Sequence, residues 1–141
     1  MTRNVLFLCT GNSCRSQMAE AIVNSASDDE WLAYSAGTFP TGTVHPKAIQ
    51  VLEEIGIDHA GRSKHVDEIR DVDFDLVVTV CDSAAEECPL WLGPGIRVHH
   101  SYPDPAKATG PEEQILRAFR SVRDRMLKEI PQILNGGRLP D

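Results

Sequence analysis

The run Asp75-Leu76-Val77-Val78-Thr79-Val80 limits this chain more than any other stretch. It is β-branched and continuous, with no alternation of polar and apolar positions, so a strand formed here has no face to give to water. Strands of that kind lie in parallel sheets covered on both sides. Val5-Leu6-Phe7-Leu8 has the same character, and residues 31–35 and 96–100 supply two further strands. Between them the apolar residues recur at helical spacing. Met18, Ala19, Ile22, Val23 and Ala26 mark a helix over 16–27. Pro46 opens a second that runs to about Gly56 and buries Ala48, Ile49, Leu52 and Ile55. Residues 57–73 are polar, with room for a short helix near 66–70. A long last helix begins near Gly110-Pro111-Glu112-Glu113 and continues to about Asn135-Gly136.

Strands alternating with helices predict an α/β fold: a three-layer arrangement with a four-stranded parallel sheet, helices on both faces and right-handed crossovers. At 141 residues the chain is expected to be one domain over residues 1–141, acting as a monomer. In the last helix, acidic residues in the first turn and Arg117, Arg120, Arg123, Arg125 and Lys128 further on suit the macrodipole, and Pro131 should bend or fray the end.

The formal net charge of −7 argues against general nucleic-acid binding, and it means that an anionic substrate must be drawn in by a local positive site. No run approaches the ~18 apolar residues of a membrane span, and Met1-Thr2-Arg3 leads straight into a strand, so a cytoplasmic protein with no membrane association is expected. In that compartment the four cysteines point to catalysis, redox chemistry or metal binding rather than to structural disulfides.

Cys9-Thr10-Gly11-Asn12-Ser13-Cys14-Arg15 lies between the first strand and the first helix. A strand, a tight polar turn and a helix N-terminus together make an anion site, in which backbone N–H groups of Thr10 to Arg15 turn inward and Arg15 grips an oxyanion with two parallel hydrogen bonds. The same field favours the thiolate form of a cysteine at the mouth of the loop, which makes Cys9 the candidate nucleophile. A cysteine merely buried at a strand end would leave Asn12, Arg15 and the helix start unexplained. Ser16 reads as an N-cap whose hydroxyl could also donate to Cys9; Cys14 reads as structural, lining the loop. His45 reads as a loop or cap residue.

Cys9, Cys81 and Asp104 each follow a strand, so all three can meet at the carboxyl rim of the sheet, where ligands of such folds sit. Asp104 stands between Pro103 and Pro105, and a carboxyl held there could protonate a leaving oxygen; Asp-Pro is also a common turn element. Cys81 and Cys88 are seven residues apart, roughly 10 Å of rise on an unbroken helix and beyond the ~7 Å that a disulfide spans. Two unrelated thiols and a redox pair that forms on unwinding both remain open on spacing alone. The presence of Cys9 at the same rim favours a relay.

Residues 9–16 resemble the phosphate loop of the low-molecular-weight protein tyrosine phosphatase fold. Gln17-Met18-Ala19-Glu20, the Cys81/Cys88 pair and Asp104-Pro105-Ala106 before a long helix resemble its thioredoxin-coupled arsenate reductase branch. Phosphatases usually carry proline where this chain has Gln17, and they lack the cysteine pair. The resemblance implies reduction of arsenate to arsenite by Cys9, Cys81 and Cys88, with Arg15, Ser16 and Asp104 assisting, thioredoxin as reductant and no cofactor. Hydrolysis of phosphate monoesters through Cys9 is the alternative. Potassium-binding members of the branch use an Asn, a Glu, a Ser and an Asp. Asn12, Glu20 and Ser35 fit three places, but Ser63-Lys64-His65 lacks the acidic residue, and Lys64 could bring its own charge instead. A non-enzymatic metal or redox sensor built on Cys9, Cys14, Cys81, Cys88 and His99 or His100 matches no close zinc spacing.

Overall fold

The computed structural model describes residues 2–26, 30–81, 91 and 93–136. Strands β1 (Arg3–Cys9), β2 (Trp31–Gly37), β3 (Leu76–Thr79) and β4 (Ile96–His99) form one sheet in the order β2-β1-β3-β4, each neighbouring pair parallel. The register sets Cys9 beside Gly37 and Leu8 beside Thr79, so the carboxyl ends of three strands finish level. Helices α1 (Arg15–Ser25), α2 (Pro46–Glu53) and α3 (Glu112–Leu134) complete the described α-helices.

The apolar runs are buried on both sides, as their composition requires. Val5, Phe7, Leu76 and Val78 point into a cluster with Met18 of α1, Leu52 of α2, and Phe119 and Met126 of α3. Leu6, Leu8 and Val77 point the other way, against Val66, Ile69, Phe74 and Trp91. Residues 5–8 are each no more than 1% exposed, and each such side chain contributes about 1.5–3 kcal/mol of burial. The three α-helices share the first face. The second is covered by a 3-10 turn over Val66–Ile69, with Phe74 and Trp91 stacked edge to face at 5.6 Å. The segment expected over 82–92, Cys88 included, lies outside the described residues apart from Trp91.

Two local expectations change. Ser16 is not the cap of α1: Cys14 occupies that position with no side-chain cap bond, and the serine hydroxyl is engaged elsewhere. The basic residues of α3 do not serve its macrodipole, because none falls in the last turn. They reach sideways instead: Arg120 and Arg123 both bind Glu54 beyond the end of α2, at 2.7 and 2.8 Å, and Arg125 binds Glu129. α3 runs through Pro131 to Leu134, close to the expected end near Asn135-Gly136, with Ile130 and Ile133 buried on either side of the exposed proline. His45 caps α2 as expected, Nδ1 accepting from the Lys47 N–H at 3.1 Å, with Pro46 in the first turn.

Candidate active site

The loop after β1 is held by its carbonyls. Thr10 O accepts from Phe39 N–H, Gly11 O from Thr41 N–H and the Ser63 hydroxyl, and Ser13 O from His45 N–H, each at 2.9–3.1 Å. Asn12 O accepts from the Gln17 amide at 3.2 Å, and Cys14 O from Met18 N–H at 2.8 Å. In a trans peptide the N–H points opposite to the C=O. Five carbonyls turned outward therefore leave the intervening N–H groups facing the concave side, at the N-terminus of α1. Asn12 sits at φ 47°, a left-handed conformation that asparagine tolerates better than most residues.

Cys9 ends β1 at the bottom of that cup, 2% exposed, with Sγ 2.8 Å from Ser16 Oγ. Ser16 Oγ accepts from Asn12 Nδ2 at 2.8 Å. The carbonyl end of the Asn12 side chain accepts from the Lys64 backbone N–H at 2.9 Å and from Gln17 Nε2 at 3.0 Å. Asn12, Ser16 and Gln17 are all wholly buried.

Arg15, 4% exposed, donates to the Tyr102 carbonyl at 3.2 Å and lies 3.7 Å from the Asp104 carboxylate. Asp104 is 19% exposed; its Oδ1 accepts from Ala106 N–H at 3.0 Å and caps the short 3-10 helix Pro105–Lys107. Cys14 Sγ stands 3.7 Å from the same oxygen. Burial, then the charges of Asp104 and Cys9, push the Cys14 thiol up to about 12, so it stays protonated at neutral pH. The loop, Arg15 and Asp104 thus converge on one concavity, where a tetrahedral anion could be bound, attacked and protonated.

On the far side of the loop, Ser35 donates to Glu20 at 3.2 Å. Burial raises the Glu20 carboxyl, opposed chiefly by the Lys64 ammonium, which is itself lowered by burial and raised by Glu20. Lys64 Nζ also donates to Arg62 O at 3.0 Å. Lys64 thus brings positive charge to bear on Glu20, which with Asn12 and Ser35 fills three of the positions matched to a potassium site in sequence. Among the described residues, no group of three His, Cys, Asp or Glu side chains could hold a metal.

Cys81 follows β3, fully buried and in the same cluster as Cys9, and it is disulfide-bonded, whereas Cys9 and Cys14 are free thiols. Of the residues singled out in sequence, the structure brings Cys9, Asn12, Cys14, Arg15, Ser16 and Asp104 together, with Cys81 behind them; Cys88 lies outside the described residues. Sequence reasoning missed Tyr102 O, Lys64 N–H and His59. The first two act through main-chain atoms, which leave no mark on residue type.

A reactive cysteine on a strand–loop–helix turn, with an arginine in the loop and an aspartate opposite, defines an oxyanion-handling enzyme class. The family model for the low molecular weight phosphotyrosine protein phosphatase matches residues 4–136, and the chain belongs to that family. Within it, the arsenate reductase of Halalkalibacterium halodurans is 44% identical over 135 residues, covering 95% of this chain and 96% of that protein. The structure of the arsenate reductase from Archaeoglobus fulgidus is 31% identical with a TM-score of 0.72, over 90% of this chain and 98% of that one. A low molecular weight protein tyrosine phosphatase from T. tengcongensis is 26% identical with a TM-score of 0.72, over 96% and 99%.

Proposed function

We propose that this chain is an arsenate reductase that converts arsenate to arsenite through three cysteines. The observation that carries it is the pairing of Cys9, bonded to Ser16 at 2.8 Å inside an anion cup, with Cys81 at the end of the neighbouring strand. The 44% identity to a reductase over nearly the whole chain supports the same reading.

Arsenate enters the cup and is held by the inward N–H groups of residues 10–15 and the Arg15 guanidinium. The Cys9 thiolate attacks arsenic, and Asp104 gives a proton to the departing oxygen, which leaves as water. The Cys81 thiolate then attacks Cys9 Sγ. The S–As bond breaks with its electron pair remaining on arsenic, which leaves as arsenite, while the two sulfurs become a Cys9–Cys81 disulfide. Cys88 attacks Cys81, returning Cys9 to thiolate and leaving a Cys81–Cys88 disulfide for thioredoxin to reduce by exchange with its own dithiol. The electrons come from thiols, so no bound cofactor enters. Oxidised Cys81 beside free Cys9 is the pattern that this last exchange leaves.

Mass spectrometry of the fully reduced protein after arsenate, with no further reductant present, tests the relay. A Cys81–Cys88 disulfide is expected; free thiols at both positions would leave only the family's other chemistry. Phosphoester hydrolysis needs no more than Cys9, Arg15 and Asp104, so slow turnover of p-nitrophenyl phosphate is expected alongside reduction.

A further inference from the structure

His59 lies in the unpatterned stretch between α2 and the 3-10 turn, and its side chain is 8% exposed. Its Nε2 is 2.8 Å from Gln17 Oε1 and 3.8 Å from a Glu20 carboxylate oxygen. The orientation of the Gln17 amide is settled by the atoms around it. Nε2 faces Arg62 O at 2.9 Å, Asn12 Oδ1 at 3.0 Å and Asn12 O at 3.2 Å. Two of these are main-chain carbonyls, which only accept, so the nitrogen must be on that side and Oε1 must face His59. A buried amide oxygen needs a donor, and the imidazole meets that need when its proton sits on Nε2.

The direction continues to the nucleophile. Lys64 N–H fixes Asn12 Oδ1 as an acceptor. Asn12 Nδ2 then donates to Ser16 Oγ, and the serine hydrogen is left for Cys9 Sγ. Donors and acceptors thus run one way from His59 through Gln17, Asn12 and Ser16 to the sulfur. Gly61 makes the first link possible: a Cβ there would overlap both His59 Nε2 and Gln17 Oε1.

We propose that His59 is a positioning residue that fixes the Gln17 amide and, through Asn12, orients the Ser16 hydroxyl hydrogen onto Cys9 Sγ. The groups facing the imidazole are Gln17, Glu20 and Lys64. Burial first, and Lys64 second, hold His59 below its ordinary value, which keeps it neutral with one proton at pH 7. The inference rests on Cys9 being the nucleophile but not on arsenate being the substrate.

Its test is the rate of iodoacetamide alkylation at Cys9 in the reduced full-length protein, read at the Cys9 peptide as a function of pH. His59→Leu should cut the alkylation rate at Cys9 about tenfold at pH 6, as loss of roughly one charge-assisted hydrogen bond to the sulfur would. His59→Gln, whose side-chain amide can donate to Gln17, should recover most of the loss. Unchanged alkylation in a His59→Leu protein that unfolds at the parent temperature would overturn the proposal. Nitrogen NMR of the unsubstituted protein supplies a measurement that needs no variant: His59 should carry its proton on Nε2, and an Nδ1–H tautomer would equally overturn it. Absence of arsenate turnover in the unsubstituted protein, with both readouts as expected, would count against the reductase reading alone.

Discussion

Gly37 and Thr10 meet backbone to backbone. A Cβ on Gly37 would overlap the Thr10 carbonyl oxygen and stand 2.9 Å from that of Cys9. These are the first two carbonyls of the catalytic turn, so the side chain that Gly37 lacks is what lets β2 close against it. Gly37→Ala should destabilise the protein by about 1–3 kcal/mol, as overpacking does. It should also reduce activity more than stability, because the displaced peptide begins the anion cup. Thermal unfolding and arsenate turnover on one preparation check this.

Ser16→Ala removes the hydroxyl bonded to Cys9 without touching the loop's N–H groups. A hydrogen bond to a charged group contributes roughly 1.5–3 kcal/mol, so kcat/KM for arsenate should fall by about 10- to 150-fold with KM little changed. A fall in KM-dependent binding instead would mean that the serine shapes the cup rather than the sulfur.

Asp104→Asn keeps the size of the group opposite Arg15 but cannot deliver a proton. General acid catalysis is typically worth about 100- to 10,000-fold, so single-turnover formation of the Cys9 adduct should slow within that range. Phosphate, which binds without reacting, should still protect Cys9 from alkylation.

Cys9 and Cys14 sit in the same loop and should differ completely in reactivity. With its thiol pushed up to about 12 by burial and by Asp104, Cys14 stays protonated across the neutral range. Iodoacetamide at pH 7 to 8 should label Cys9 and spare Cys14, as peptide mapping would show.

Glu54 joins α2 to α3 through Arg120 and Arg123. Hydrogen bonds from Arg120 first, then Arg123, hold its carboxyl down to about 2 against an ordinary 4.5. A carboxyl depressed in the folded state stabilises the protein above its ordinary value and loses that contribution as pH falls towards the folded one. Glu54→Gln should therefore lower the unfolding temperature at pH 7, and the gap to the parent should close between pH 4.5 and 2.

The parts of this molecule legible in its sequence are those where one residue type answers one local demand. Residues 5–8 and 76–78 are apolar without alternation because water reaches neither face of the strand. The loop from Cys9 to Arg15 is legible because nucleophile, cup and arginine come from consecutive residues. Asp104 showed itself by its place after the last strand, between prolines. For Ser16 the bond to Cys9 is legible and the capping role is not, because a serine before a helical pattern satisfies the capping rule whatever its hydroxyl touches. The pairing of Arg120 and Arg123 with Glu54 spans nearly seventy residues, and nothing in the composition of α3 indicates it. His59 is the hardest case: its role depends on bare space at Gly61 and on an amide orientation fixed by main-chain atoms.

The outward ties of the loop carbonyls bear on when the cysteine acquires its chemistry. The loop after Cys9 is anchored by Phe39, Thr41, His45 and Ser63, its serine is set through Lys64 N–H, and its acid is Asp104. Ser63, Lys64 N–H and Asp104 are the most distant of these in sequence, and the site is incomplete until they have packed against the loop. The surroundings of the nucleophile are thus gathered from segments as far apart as Phe39 and Asp104, and reactivity at position 9 reports that these segments have folded together.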